Sequence, residues 1–283
     1  MTKLPFITIS MLALPLAASA EGDSPWLPIP GQLSLGVSYT QQTAKETYIG
    51  DTKLSISTIT GGGASEYKRT TTAVTANYGL YDAISLDATI AYGKVEVGAA
   101  DDDSGVLDTV IGAKWRVLDE VTSPAMPTVT LRVAAIINGN YDGARLAGLG
   151  NDASGYELAA IVGKQFNSMF STWGEYAYQN RNNSVPDATV LDLGVSFTFV
   201  PQWNASLTYT AKRYSGDLDI GGAGFTPARF QEVKDEHNTA KLTVGYAVAG
   251  NQGVSLSYGK SVGSGRNTGV EDPIISAAYV YAF

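Results

Sequence analysis

The chain has 283 residues with 27 Asp and Glu against 19 Lys and Arg, a formal net charge of −8, one histidine and no cysteine. That acidic balance argues against nucleic-acid binding, which needs a basic footprint. The missing cysteine excludes disulfides, thiol catalysis and thiolate-held metals.

Residues 1–20 read as a secretory signal peptide. Lys3 supplies the positive start, Leu4 to Ala17 the apolar core and Ala18-Ser19-Ala20 the cleavage site, so the mature chain is expected to span 21–283. Without Lys3 the balance becomes 18 bases against 27 acids. Beyond residue 20 no apolar run approaches the roughly 18 residues of a spanning helix. The 31 Gly and 16 Tyr suit turns and interfacial girdles.

Alternation with period two then recurs about twelve times in segments of roughly ten residues, the length of a tilted strand crossing a bilayer. The first runs from about Gln32 to Thr43, with Leu33, Leu35, Val37 and Tyr39 on one face. The second, near Thr70 to Leu80, sets Val74, Ala76 and Tyr78 against Thr71, Thr75 and Asn77. After Tyr81-Asp82-Ala83 the third sets Ile84, Leu86, Ala88, Ile90 and Tyr92 against Ser85, Asp87 and Thr89. The fourth points Leu107, Ile111, Ala113, Trp115 and Val117 outward and Asp108, Gly112, Lys114 and Arg116 inward.

The fifth alternates Val129, Leu131, Val133, Ala135 and Ile137 with Thr128, Thr130, Arg132 and Asn138. The sixth has Tyr156, Leu158, Ala160, Val162 and Phe166 opposite Glu157, Gly163 and Gln165. The seventh carries Phe170, Thr172, Tyr176 and Tyr178 outward with Glu175 inward. In the eighth, Leu191, Leu193, Val195, Phe197 and Phe199 alternate with Asp192, Gly194, Ser196 and Thr198. The ninth sets Trp203, Ala205, Leu207 and Tyr209 against Asn204, Ser206, Thr208 and Lys212. The tenth sets Leu242, Val244 and Tyr246 against Thr239, Lys241, Thr243 and Gly245; the eleventh sets Val254, Leu256 and Tyr258 against Ser255, Ser257 and Gly259. The last aligns Ile275, Ala277, Tyr279, Tyr281 and Phe283.

Connections after even-numbered segments are short, as at Tyr81-Ala83, Asn167-Ser168 and Val200-Gln202, although Leu118 to Pro127 is longer. Those after odd-numbered segments include Ala44 to Lys68, Gly139 to Ala153 and Ser215 to Glu236. With polarity set by this contrast, Trp115, Phe166, Phe170, Phe199, Trp203 and Tyr281 fall at one end, and Tyr39, Tyr92, Tyr156, Tyr176 and Tyr258 towards the other. A soluble β-sandwich also alternates but has no reason to sort aromatics by depth. The expected fold is all-β: a transmembrane up-and-down antiparallel β-barrel of about twelve strands with short periplasmic turns and long extracellular loops. The expected location is the outer membrane of a Gram-negative cell. The expected partners are outer-membrane lipid, lipopolysaccharide, small-molecule solutes and, through the alternating C-terminal strand, the barrel-assembly machinery.

The register directs Asp87, Asp108, Glu157, Glu175 and Asp192 into the lumen, with Lys114, Arg116, Arg132, Lys212 and Lys241. Equal numbers of acids and bases do not predict strong ion selectivity; cross-strand ion pairing and solute contact both remain open roles. Twelve tilted strands give a backbone diameter of about 24 Å and a free bore of about 10–12 Å. Two loops are candidates to narrow it, or else lie on the outer surface: Ser215 to Glu236 with Ile220, Phe225 and Phe230, and the first loop with Tyr48, Leu54, Ile56 and Ile59.

No enzyme is expected. A lipid hydrolase would need a Ser nucleophile with a His base, and His237 sits in a charged loop edge with no orienting partner at a suitable spacing. The run Asp101-Asp102-Asp103 lacks a full calcium-ligand loop and reads as a solvated or lipopolysaccharide-associated turn. Gly148-Leu149-Gly150 is not a phosphate loop, since no strand-then-helix context surrounds it. No cofactor is called for.

Three segments carry a family resemblance. Tyr78-Gly79-Leu80-Tyr81-Asp82-Ala83-Ile84-Ser85-Leu86 is similar to a strand–turn–strand of the "MetA-pathway of phenol degradation" transporters. Leu107 to Arg116 resembles that family's L-G-D-x-x-L-G-x-K-Y-R strand, with Val106-Leu107 in place of the glycine-containing lead. Pro201 to Leu207 resembles its turn into a later strand. The resemblance implies an outer-membrane channel for passive uptake of small solutes, aromatic or hydrophobic compounds among them, and carries Asp108, Lys114 and Arg116 over as lumen residues. The rival readings are a structural or adhesive barrel acting through its loops and an outer-membrane lipid hydrolase.

Overall fold

The computed structural model describes residues 24–99, 101–141 and 148–283. The signal peptide expected at 1–20 lies outside the described residues. The chain forms β1 (Leu33–Ile49), β2 (Thr52–Ser55), a single helical turn α1 (Ile56–Ile59), β3 (Tyr67–Tyr81), β4 (Ile84–Val97), β5 (Asp101–Val106) and β6 (Thr109–Leu118). There follow β7 (Thr128–Ile137), β8 (Gly155–Gln165), β9 (Phe170–Arg181), β10 (Ala188–Val200) and β11 (Trp203–Tyr214). A 3₁₀ turn at Pro227–Glu232 precedes β12 (Glu236–Ala249), β13 (Gln252–Ser261) and β14 (Gly269–Ala282).

All pairings between named strands are antiparallel, and the spanning strands follow one another round the ring in chain order. The short β2 folds back on β1, and β5 continues β6 along the edge of β4, which leaves twelve spanning strands. β14 closes the sheet on β1, from Ser34 opposite Ala282 to Gln42 opposite Ile274. The amide of Phe283 completes the seam by donating to the Leu33 carbonyl at 2.8 Å. The twelve spanning strands therefore form a closed barrel with no edge in the ring, the arrangement that leaves no unsatisfied backbone group in lipid.

The outer face is apolar. Leu131, Leu158, Leu193, Leu207, Leu242 and Leu256 are all exposed, each flanked in sequence by buried or half-buried neighbours. Rings pair near the turn end: Trp203 lies 4.8 Å from Tyr246, and Tyr281 4.6 Å from Phe283.

Three expectations are corrected. β1 runs to Ile49 rather than stopping near Thr43, because its ladder continues beyond the barrel rim onto β2. Asp101-Asp102-Asp103 is strand rather than turn, paired with Val97, Glu96 and Val95. Leu107 points inward, not outward with Ile111. The alternation restarts there because the chain breaks between β5 and β6: Asn140 binds Val106 through its amide and its side chain, in place of a continuous strand partner.

The outward face generates a test. Leu193, midway along β10 and 48 % exposed, would tolerate a charge on a soluble barrel. In lipid, Leu193→Arg is expected to cost about 2–4 kcal/mol, read from denaturant unfolding out of phospholipid vesicles.

Candidate functional site

Six neighbouring strands each contribute one inward charge to a belt across half the barrel wall: Asp87 on β4, Lys114 on β6, Arg132 on β7, Glu157 on β8, Glu175 on β9 and Asp192 on β10. Arg132 is its hub. Its Nη2 lies 2.6 Å from Asp87 Oδ2, its Nε donates to Asp87 Oδ1 at 3.2 Å, and its Nη1 bonds Glu157 Oε1. Glu157 also accepts from Gln179 Nε2 at 2.6 Å, and Asp192 accepts from Thr210 Oγ1. The carboxylate of Asp87 fits because residue 112 is Gly: a Cβ there would stand 2.7 Å from Asp87 Oδ1. Lys114, Glu157, Glu175 and Asp192 are buried. Arg116 takes no part; it reaches the turn end, where it bonds the Asp82 carbonyl and pairs with Asp119 at 3.2 Å.

The rest of the bore is a cavity of about 520 Å³. Its wall is largely Ser, Thr and Ala from β1, β3, β11, β12, β13 and β14, and it runs from the loop end as deep as Ser38, Ser255 and Ala278. Asp108, Lys212 and Lys241 line it, as do Arg69, Arg181, Asp235 and His237, none of which the inward register had singled out. Lys212 Nζ sits 5.0 Å from the centre of the Tyr214 ring. Asp108 is held by Arg181, by the Tyr141 hydroxyl at 2.5 Å and by the Gly139 amide at 3.3 Å. Burial and the neighbouring Asp108 push the Tyr141 phenol well above its ordinary range, so it stays a donor.

Two loops enter the mouth. The first supplies Ile56 and Ala64, and the segment between β7 and β8 supplies Tyr141 and Leu149. These pack on Val95 and Val97, with Tyr67 and Leu107 alongside, and Arg69 Nη2 bonds the Leu149 carbonyl at 3.0 Å. The first loop was a candidate to narrow the bore and does so through Ile56. The loop of residues 215–235, the other candidate, reaches the cavity only through Asp235 among the described residues. Its apolar Phe225 and Phe230 pack on each other at 6.2 Å instead. It is tied sideways: Asp219 Oδ1 accepts from Arg266 Nε at 2.7 Å and from Asn267 Nδ2 at 2.8 Å. Tyr141 and Leu149 were missed, although Leu149 between two glycines was a visible signal.

The turn end is crossed by residues 24–32. Thr130 Oγ1 donates to the Pro25 carbonyl at 2.7 Å, and Trp26 Nε1 donates to Glu120 at 2.8 Å. From there the segment reaches β3, where the Gly31 amide donates to Gly79 at 2.8 Å and the Gly79 amide to Gln32 at 3.0 Å. Gly163 makes room: a Cβ there would meet Pro25 Cγ at 2.5 Å and the Trp26 ring at 3.2 Å. Beneath this strap the inward Thr128 and Thr130 are 0 % exposed. A polar wall facing an open pore would be wet.

A closed twelve-stranded antiparallel barrel with an apolar exterior and a polar, loop-narrowed interior is the outer-membrane barrel fold. Comparison with solved structures agrees. An outer membrane channel from Pseudomonas putida F1 superposes with a TM-score of 0.69 at 18 % identity, over 93 % of this chain and 99 % of that one. The translocator domain of autotransporter NalP from Neisseria meningitidis gives 0.52 at 11 % identity, over 90 % of each chain. No family model and no curated protein matches by sequence.

Two outcomes follow from the polar contacts. Arg132→Met leaves two buried carboxylates without their cation and is expected to cost about 3–5 kcal/mol in vesicle unfolding; adding Asp87→Asn and Glu157→Gln should recover much of it. In the outer loops, Arg266 and Asn267 hold the Asp219 carboxyl down to about 2. A depressed carboxyl contributes its tie fully above the ordinary value near 3.9 and loses it as pH falls through about 2. Carboxyl ¹³C titration in micelles should show that midpoint, and Arg266→Gln should move it up towards the ordinary range.

Proposed function

We propose that this barrel is an outer-membrane channel for the passive uptake of small solutes, with its long loops outside and its short turns in the periplasm. The cavity of about 520 Å³ that enters from the loop end carries this reading. Its volume falls within the range of small-molecule sites, roughly 300–1,000 Å³, and is far too small for a folded protein. Likeness of fold to an outer membrane channel supports the reading, while likeness to a translocator domain is a reminder that the barrel alone does not set the cargo. Aromatic or hydrophobic solutes follow from the resemblance to the phenol-pathway transporters, and the apolar cluster around Ile56, Leu107 and Leu149 suits them.

In this reading the resting channel is shut at the periplasmic end by the strap of residues 24–32. Passage then requires the strap to leave Gly163 and Thr130, against a modest set of hydrogen bonds. Purified protein in planar bilayers should show brief, low-conductance openings. Pro25→Gly with Trp26→Gly should lengthen them and raise the mean current. A barrel that stays electrically silent in both forms, and impermeable to sugars in liposome swelling, would refute the channel.

A further inference from the structure

The equal numbers of inward acids and bases conceal a separation in space. The buried belt holds four acids and two bases on six adjacent strands. The cavity lining is the reverse, with Arg69, Arg181, Lys212 and Lys241 against Asp108 and Asp235, in a chain whose net charge is −8. Its two acids are weakened as sources of negative potential. Asp108 and Arg181 pair with each other and cancel, which leaves Arg69, Lys212 and Lys241 against Asp235. Asp235 Oδ1 is buried with no hydrogen-bond partner among the described residues, and burial pushes that carboxyl up while the neighbouring His237 and Lys212 pull it down. The wall that a solute meets therefore carries an excess of basic charge, three bases to one acid once the Asp108–Arg181 pair is set aside.

The basic wall also faces an apolar one. Lys212 on β11 and Lys241 on β12 lie on one side of the ring. Tyr67 on β3, with Leu107, Leu149, Ile56 and Tyr141 packed about it, lies on the other. Five steps round the closed sheet separate β3 from β11, close to a diameter in a ring of twelve. Lys241 stands opposite Thr208, four residues deeper than Lys212 and so about 13 Å further along the tilted wall at ordinary strand rise. An anion leaving the first lysine still has a second cation ahead of it, while the acid-rich belt repels it from the remaining wall.

We propose that this cavity is a binding subsite for small carboxylates with an apolar body, the carboxylate on Lys212 or Lys241 and the body against the Ile56–Leu107–Leu149 cluster. The inference rests on the channel reading above but concerns what the cavity holds, so it is tested by binding rather than by current. Calorimetry on the full detergent-solubilised barrel should show benzoate binding, with the uncharged benzamide and the bodiless acetate each at least tenfold weaker. Lys212→Gln with Lys241→Gln should weaken benzoate at least tenfold and leave benzamide unchanged. Heat-modifiable migration on gels confirms that the variant barrel has folded, and Lys212→Gln alone, expected to give an intermediate loss, serves if the double variant has not. Equal affinity for benzoate and benzamide, or no benzoate heat at all, would overturn the charge assignment; acetate binding as tightly as benzoate would overturn the apolar wall. Bilayer current decides the channel separately: a conducting protein that ignores benzoate loses only the subsite, and a silent one that binds it loses only the channel.

Discussion

A β-sheet surrounded by hydrocarbon has no water to satisfy the backbone groups along an edge, and each such group left unpaired costs several kcal/mol. The seam between β1 and β14 is therefore the pairing on which the rest depends. Once it forms, side chains can only point to lipid or to the bore, and the alternation of every strand is set in one step. Leu193 and Asp192 are adjacent in sequence and lie on opposite sides of the wall for that reason alone.

Inside the wall, the same polar residues do two different jobs. Asp87, Arg132 and Glu157 are removed from water, and burying charge is tolerable only when each is paired and hydrogen-bonded. They consume one another and tie β4, β7 and β8 together. Lys212, Lys241 and Arg69 stand instead on the part of the bore left open, where they set its sign. The contrast follows from packing: Arg132 lies within reach of two carboxylates, while the cavity wall on β11 to β14 is largely short Ser, Thr and Ala side chains that leave the bore open there.

Much of the barrel was legible because dyad periodicity is a local property. The run Leu191, Leu193, Val195, Phe197 and Phe199 declares its outward face without reference to any other strand, and β10 follows it. Reading failed where a distant segment intervened. Leu107 carries outward parity in sequence, but Asn140 breaks the strand beside it and turns it into the bore. Residues 24–32 show no alternation and no marked motif, so nothing local announces that Pro25 and Trp26 lie under Gly163. The loop of residues 215–235, richer in aromatics than the segment after β7, stays outside because Arg266 and Asn267 hold Asp219.

What the sequence by itself determined is the class of structure: the number of strands, their alternating connections and the polarity of each face. These depend on chemistry repeated every second residue. What only the tertiary structure decided is which inward charges meet one another and which line the open cavity, which loops enter the mouth, and that the turn end is crossed by residues 24–32. Those outcomes depend on which strands become neighbours when the sheet closes, and on contacts such as Thr130 with Pro25, 105 residues apart. No local period encodes them.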